Sequence, residues 1–172
     1  MSKNNKGRLF WITGLSGSGK SQIAKKILPK IIKNYGPTIL LSGDDVRKIF
    51  NLKDYSYEGR FETVMKYCKL SKFITSQNIN VILTVIGMRH ELRDWNRNNI
   101  KNYVEIYIKA DLKKIISQGK KRIYHQNKKN IVGIDVKLEY PKKPHIILHN
   151  NFKKNINFCS KDLMIKINKL LS

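Results

Sequence analysis

Residues 8–21 read RLFWITGLSGSGKS. The stretch Arg8–Thr13 is apolar without alternation, the pattern of a strand buried on both faces. It runs directly into Gly14-Leu15-Ser16-Gly17-Ser18-Gly19-Lys20-Ser21, which matches GxxxxGK[ST]. From Lys20 onward the apolar residues Ile23, Ala24, Ile27 and Ile31 recur at helical spacing, predicting a helix over 20–33 with Pro29 as a kink or break. Strand, glycine-rich turn and helix together are the context in which this pattern cradles phosphate. Glycines allow successive backbone N–H groups, across Gly14, Ser16, Gly17, Ser18 and Gly19, to wrap around phosphate oxygens. The helix N-terminus adds a favourable dipole. Lys20 then reaches the β- and γ-phosphates and the Ser21 hydroxyl ligates Mg²⁺, so ATP and Mg²⁺ are the expected cofactors. The dinucleotide fingerprint GxGxxG fails, because Gln22 stands where its third glycine belongs.

Outward from this stretch, strand and helix patterns alternate. A short strand over 38–41 follows the Gly36-Pro37 break, and a long amphipathic helix covers 59–77. The β-branched run Asn80–Ile86 reads as a central parallel strand. A helix over 91–98, a strand over 103–108, a helix capped by Asp111, a strand over 145–148 and a helix over 161–171 complete the series. The alternation predicts an α/β fold: one domain spanning 1–172, a central parallel sheet with helices on both faces. Residues 117–143 are basic, polar and aperiodic, and read as a mobile lid.

Composition narrows the class. The chain has 172 residues and 41% hydrophobic residues, enough for a core, and no apolar run of membrane-spanning length. The polar start, Met1 to Lys6, lacks a signal-peptide pattern. Cys68 and Cys159 share no metal or redox spacing, so a reducing cytoplasm is the expected compartment. His90, His125, His145 and His149 show no metal spacing either, and Trp11 and Trp95 read as packing residues. The formal net charge is +23, carried by 28 lysines and only 7 arginines. Lys, Asn and Ile are all over-used, as an AT-rich genome would dictate. The cations are spread along the chain rather than clustered with aromatic pairs, so nucleic acid is not the expected partner. The positive field nevertheless favours small anionic ligands.

The second strand is followed by Ser42-Gly43-Asp44-Asp45-Val46-Arg47. A carboxylate at the carboxyl end of a strand beside the phosphate loop faces the ligand crevice. There Asp44 or Asp45 can hold metal-bound water, accept a hydroxyl proton, or cap a helix. Arg47, one turn on, can clamp an anionic acceptor.

These segments together resemble the adenylylsulfate kinase family over nearly the whole chain. The similar stretches, in the family's order, are GLSGSGKS at 14–21, GDDVR at 43–47, GR at 59–60, RDWNR at 93–97, KRIY at 121–124, NIVGID at 130–135 and LEYPKKP at 138–144. The resemblance implies a P-loop NTPase/kinase fold that phosphorylates the ribose 3′-hydroxyl of a small-molecule nucleotide with MgATP, and a possible homodimer. It implies Asp44 as the hydroxyl base, beside Lys20, which the phosphate-loop reading makes the other catalytic residue. Arg47 and Arg60 match arginines that hold the acceptor's anionic tail, and Tyr55 matches an aromatic that stacks on its base. Ile86 and Gly87 match backbone beside the acceptor, and Lys121 matches the lid lysine. Ser42 stands where the family has a first acid, Thr63 where it has asparagine and Met88 where it has proline. Gln118-Gly119 stands in place of the lid's Arg-Asp pair. Ile131-Val132-Gly133-Ile134 occupies the family's FTGI, so the ring that would sandwich the base from the second side is missing, although Ile131 and Gly133 still match acceptor-binding positions. Base stacking on an aromatic is worth ~1–3 kcal/mol, so this loss disfavours a purine. A capsule-cluster branch of the family, acting on cytidine diphosphoramidate, is similar in these places; adenylylsulfate is the alternative acceptor.

Overall fold

The computed structural model describes residues 7–118 and 138–172. Five strands, β1 (Leu9–Thr13), β2 (Thr38–Ser42), β3 (Asn80–Val85), β4 (Tyr103–Lys109) and β5 (Ile146–His149), form one parallel sheet in the order β2-β3-β1-β4-β5. β1 lies at the centre, with Leu9 opposite Val81 on one side and Tyr103 on the other. All residues of β1 and β3 are buried, which is why their sequences are continuous apolar runs.

The helices are α1 (Lys20–Tyr35), α2 (Gly43–Ile49), α3 (Tyr57–Ser76), α4 (His90–Asn99), α5 (Leu112–Ser117) and α6 (Ile156–Leu171). Side chains alternate across β1, so it feeds two cores. Phe10 and Ile12 join Ile23, Ile27 and Ile31 of α1 and Leu163 and Ile167 of α6. Leu9 and Trp11 join Tyr67 and Cys68 of α3 and Leu92 of α4. The expected two-sided covering of the sheet is therefore present.

Three local expectations need correction. Pro29 does not end α1, which continues to Tyr35 and is capped by the Gly36 N–H on Ile32 O. Pro29 is exposed, so the hydrogen bond it removes lies on the solvated face, while the stripe Ile23–Ala24–Ile27–Ile31 stays buried. Ser42, not Asp44 or Asp45, is the N-cap of α2; its Oγ accepts from the Asp45 N–H at 3.3 Å. The two acids occupy the first turn instead, where the helix dipole favours them. α6 begins at Ile156, five residues before the apolar period suggested, because Asn155 caps it through the Phe158 N–H. Asp111 caps α5 as expected, accepting from the Lys114 N–H at 3.0 Å. No helix among the described residues is long and apolar enough to cross a membrane.

Candidate active site

The carboxyl ends of β1, β2 and β3 open into a cavity of about 450 Å³. This is the position at which open parallel sheets bind ligands. The β1–α1 turn supplies Ser16, Gly17, Gly19, Lys20 and Ser21 to its wall; α2 and the cap before it supply Ser42, Gly43, Asp44 and Arg47. Tyr55, Arg60, Ile86 and Gly87 complete the set of expected residues found there. Gly14 and Ser18 are not on the wall and serve the shape of the loop. Gly14 has φ +154°, and a Cβ on it would lie 2.6 Å from Ile108 O. Ser18 is fully buried, and its carbonyl accepts from Asn150 Nδ2 at 3.0 Å.

Lys20 Nζ donates to Gly14 O at 2.8 Å and to Leu15 O at 2.6 Å. The ammonium thus lies over the loop, only 8% exposed, where an incoming phosphate meets a partly desolvated charge. The Ser21 hydroxyl lies 3.5 Å from Thr84 Oγ1 on β3. With Asp44 on the same cavity wall, these are hard oxygen donors. They suit Mg²⁺, which keeps most of its waters and takes few protein ligands. Among the described residues no cluster of His, Cys, Asp and Glu offers a metal cage.

On the other wall, Tyr67 O–H donates to Gly43 O at 2.9 Å and pins the start of α2 to α3. Burial pushes the Tyr67 phenol up to about 12, so it remains a donor. Arg47 Nη1 donates to Leu52 O at 2.7 Å and Asp54 O at 2.9 Å, and its guanidinium stands 4.3 Å from the Tyr55 ring centroid. Arg60 Nε donates to Tyr55 O at 2.8 Å, with its guanidinium 5.4 Å from the same ring. Burial first, then the like charge of Arg47, lowers the Arg60 pKa, which still leaves it cationic. The two arginines and the tyrosine are one unit: the cations shape the loop that presents the ring.

The β3–α4 turn is held from behind. Gly87 has φ +46°, and a Cβ there would lie 2.6 Å from Cζ2 of the fully buried Trp11. Thr13 Oγ1 donates to Ile86 O. Arg93, 1% exposed, donates to Gly87 O at 3.3 Å and to Glu139 O at 2.7 Å, and lies 3.4 Å from buried Glu105. Arg97 pairs with the same carboxylate from the solvent side. This network joins the turn to the segment at Glu139.

Sequence reasoning brought together Lys20, Ser21, Asp44, Arg47, Tyr55, Arg60, Ile86 and Gly87, and the structure places them around one cavity. Lys121, Ile131 and Gly133, with most of the expected lid, lie outside the described residues. It missed Thr84, hidden in a run read only as strand, Asn150, which carries no motif, and Tyr57 and Arg89, which also line the cavity.

The model of the family described as Adenylylsulphate kinase matches residues 6–149. The chain belongs to the adenylylsulfate kinase family. It is therefore a phosphotransferase of a family of ATP-using P-loop kinases with hydroxyl acceptors. A relative named cytidine diphosphoramidate kinase, from Campylobacter jejuni, is 36% identical over 90% of this chain and 92% of its own length. An adenylyl-sulfate kinase of Clostridium acetobutylicum is 32% identical over 96% of this chain and 86% of its own. In fold, the chain matches an adenylylsulfate kinase of Mycobacterium tuberculosis, solved with AMPPNP and APS, at a TM-score of 0.85 and 22% identity, over 95% and 98% of the two chains.

Proposed function

We propose that this kinase transfers the γ-phosphate of MgATP to the ribose 3′-hydroxyl of cytidine diphosphoramidate, a step in making the phosphoramidate of capsular polysaccharide. The observation that carries the reading is the likeness to the Campylobacter jejuni kinase along nearly the full length of both chains. The cavity is compatible with it: Tyr55 stands on its wall with the guanidinium groups of Arg47 and Arg60 beside its ring.

The residues divide the work. The phosphate loop binds the triphosphate, and Lys20 leaves the Gly14 and Leu15 carbonyls for the phosphate oxygens, which carry more charge. Ser21 and Thr84 would hold Mg²⁺, which would supply positive charge against the triphosphate. Arg47 and Arg60 attract the acceptor's diphosphate tail. Asp44 orients the 3′-hydroxyl and accepts its proton. The hydroxyl oxygen forms the new bond to the γ-phosphorus, the bond to the β–γ bridging oxygen breaks, and ADP leaves with that electron pair.

A second reading, adenylylsulfate as acceptor, draws on the family model itself and on relatives of that name. Release of ADP from MgATP, measured with each acceptor at matched concentration, separates the two. Turnover with cytidine diphosphoramidate alone is the expected result. Turnover with adenylylsulfate alone replaces this proposal with the second reading, and release no faster than without acceptor rejects both.

A further inference from the structure

Among the described residues three arginines line the cavity, and they are not equivalent. Arg47 and Arg60 donate to backbone carbonyls of the Tyr55 loop. Arg89, on the β3–α4 turn, donates no hydrogen bond among the described residues; its carboxylate neighbour, exposed Glu91, is 3.8 Å away. Yet its guanidinium is held in place. It stands 4.3 Å from the Tyr57 ring centroid and 4.4 Å from that of Phe61, both on the first turns of α3. The side chain is 25% exposed. A planar fork of N–H donors, fixed by two aromatic rings at the wall of a ligand cavity and donating no hydrogen bond among the described residues, is suited to reading paired acceptors.

The geometry points to Arg89 as the residue that selects the acceptor's base, donating two parallel hydrogen bonds to O2 and N3 of cytosine. This deepens, and rests on, the cytidine reading above. Cytosine carries these two acceptors side by side on one edge. Adenine offers one acceptor beside an amino donor on both its edges, and uracil flanks a donor N3–H with its carbonyls. Neither base can take both bonds from a guanidinium, which has donors only. The pair of bonds would also compensate for the single stacking ring, since discrimination by a bidentate contact is as large as that from stacking. Arg89 is thus a specificity residue rather than another anchor for the anionic tail.

The test is equilibrium dialysis of the full chain, saturated with Mg-AMPPNP, against CDP, UDP and ADP as probes, for the unsubstituted protein, R89L and R89K. The unsubstituted protein should bind CDP tightest of the three. R89L should weaken CDP binding by about 5- to 150-fold, with ADP and Mg-AMPPNP changed by about twofold or less. R89K keeps the charge and lacks the planar fork, so it too should lose the CDP preference. Undiminished Mg-AMPPNP binding certifies the fold, and if R89L fails that control R89K decides. Equal weakening of all three probes by R89L, with affinity restored by R89K, would assign Arg89 to the phosphates and overturn the inference. A CDP preference that survives in both variants would overturn it while leaving the cytidine reading intact. A preference for ADP in the unsubstituted protein would overturn both.

Discussion

Arg93 is a buried charge whose removal should cost more than any surface change. Its side chain is 1% exposed and that of Glu105 fully buried, at 3.4 Å. Arg93→Met would leave Glu105 inside the protein and strip donors from Gly87 O and Glu139 O. It would also remove the 2.7 Å contact with His90 Nδ1. Removing one partner of a buried pair typically costs ~3–5 kcal/mol. Arg97 still reaches the same carboxylate, so the loss should sit near the lower end, about 3 kcal/mol. With a urea slope of roughly 2 kcal/mol per molar, the unfolding midpoint should fall by roughly 1.5 M. Because the turn at Gly87 is loosened, KM for the nucleotide acceptor should rise while KM for ATP holds. Adding Glu105→Met should recover a large part of the stability, since an apolar pair of similar volume removes the orphaned charge. A midpoint shift under roughly 0.4 M for Arg93→Met, or a double variant as unstable as the sum of the singles, would refute the reasoning.

Other expectations follow from the site and the core. Asp44→Asn should lower kcat by about 10²- to 10⁴-fold with AMPPNP affinity unchanged in a binding titration; near-native turnover would remove Asp44 as the base. His145 Nδ1 accepts the Glu105 N–H at 2.9 Å and so must be neutral, and burial, with the Arg97 charge second, lowers its pKa. The unfolded ring takes its proton near pH 6.5 and the folded ring only below that, so this contribution is full above pH 6.5 and is lost as pH falls toward the folded value. Urea midpoints between pH 7.5 and 5.5 should fall more steeply in the unsubstituted protein than in His145→Gln. Burial pushes the Cys68 thiol up to about 12 and raises that of Cys159, and both residues are buried, at 0% and 4% exposure. N-ethylmaleimide should therefore label neither in the native protein and both after unfolding, as mass spectrometry would record.

The parts of the fold that were legible are those where one local pattern dominates. The β1–loop–α1 unit could be read directly, because burial of β1 demands an apolar run and the phosphate loop demands its glycines. α2 escaped because it has seven residues and buries only Val46, too short for a helical period to show. The start of α6 escaped because its cap, Asn155, is one asparagine in a chain rich in them. The phosphate-loop side of the candidate site was legible because phosphate chemistry constrains residue type and spacing together. The tertiary side was not. Thr84 reads as one more β-branched strand residue until Ser21 is found beside it. Arg93 reads as one member of a polar helix until its guanidinium is found under the Gly87 turn. Tyr57 and Arg89 lie 32 residues apart in sequence, and only the packing of α3 against the β3–α4 turn brings them together.

The central claim is that the acceptor is a nucleotide phosphorylated on its ribose 3′-hydroxyl. The most direct measurement gives the enzyme MgATP labelled in the γ-phosphate, with cytidine diphosphoramidate and its 3′-deoxy and 2′-deoxy counterparts as acceptors. The account predicts label transfer to the parent compound and to the 2′-deoxy form, with none to the 3′-deoxy form. Transfer to the 3′-deoxy compound, or loss of transfer only with the 2′-deoxy one, would contradict it.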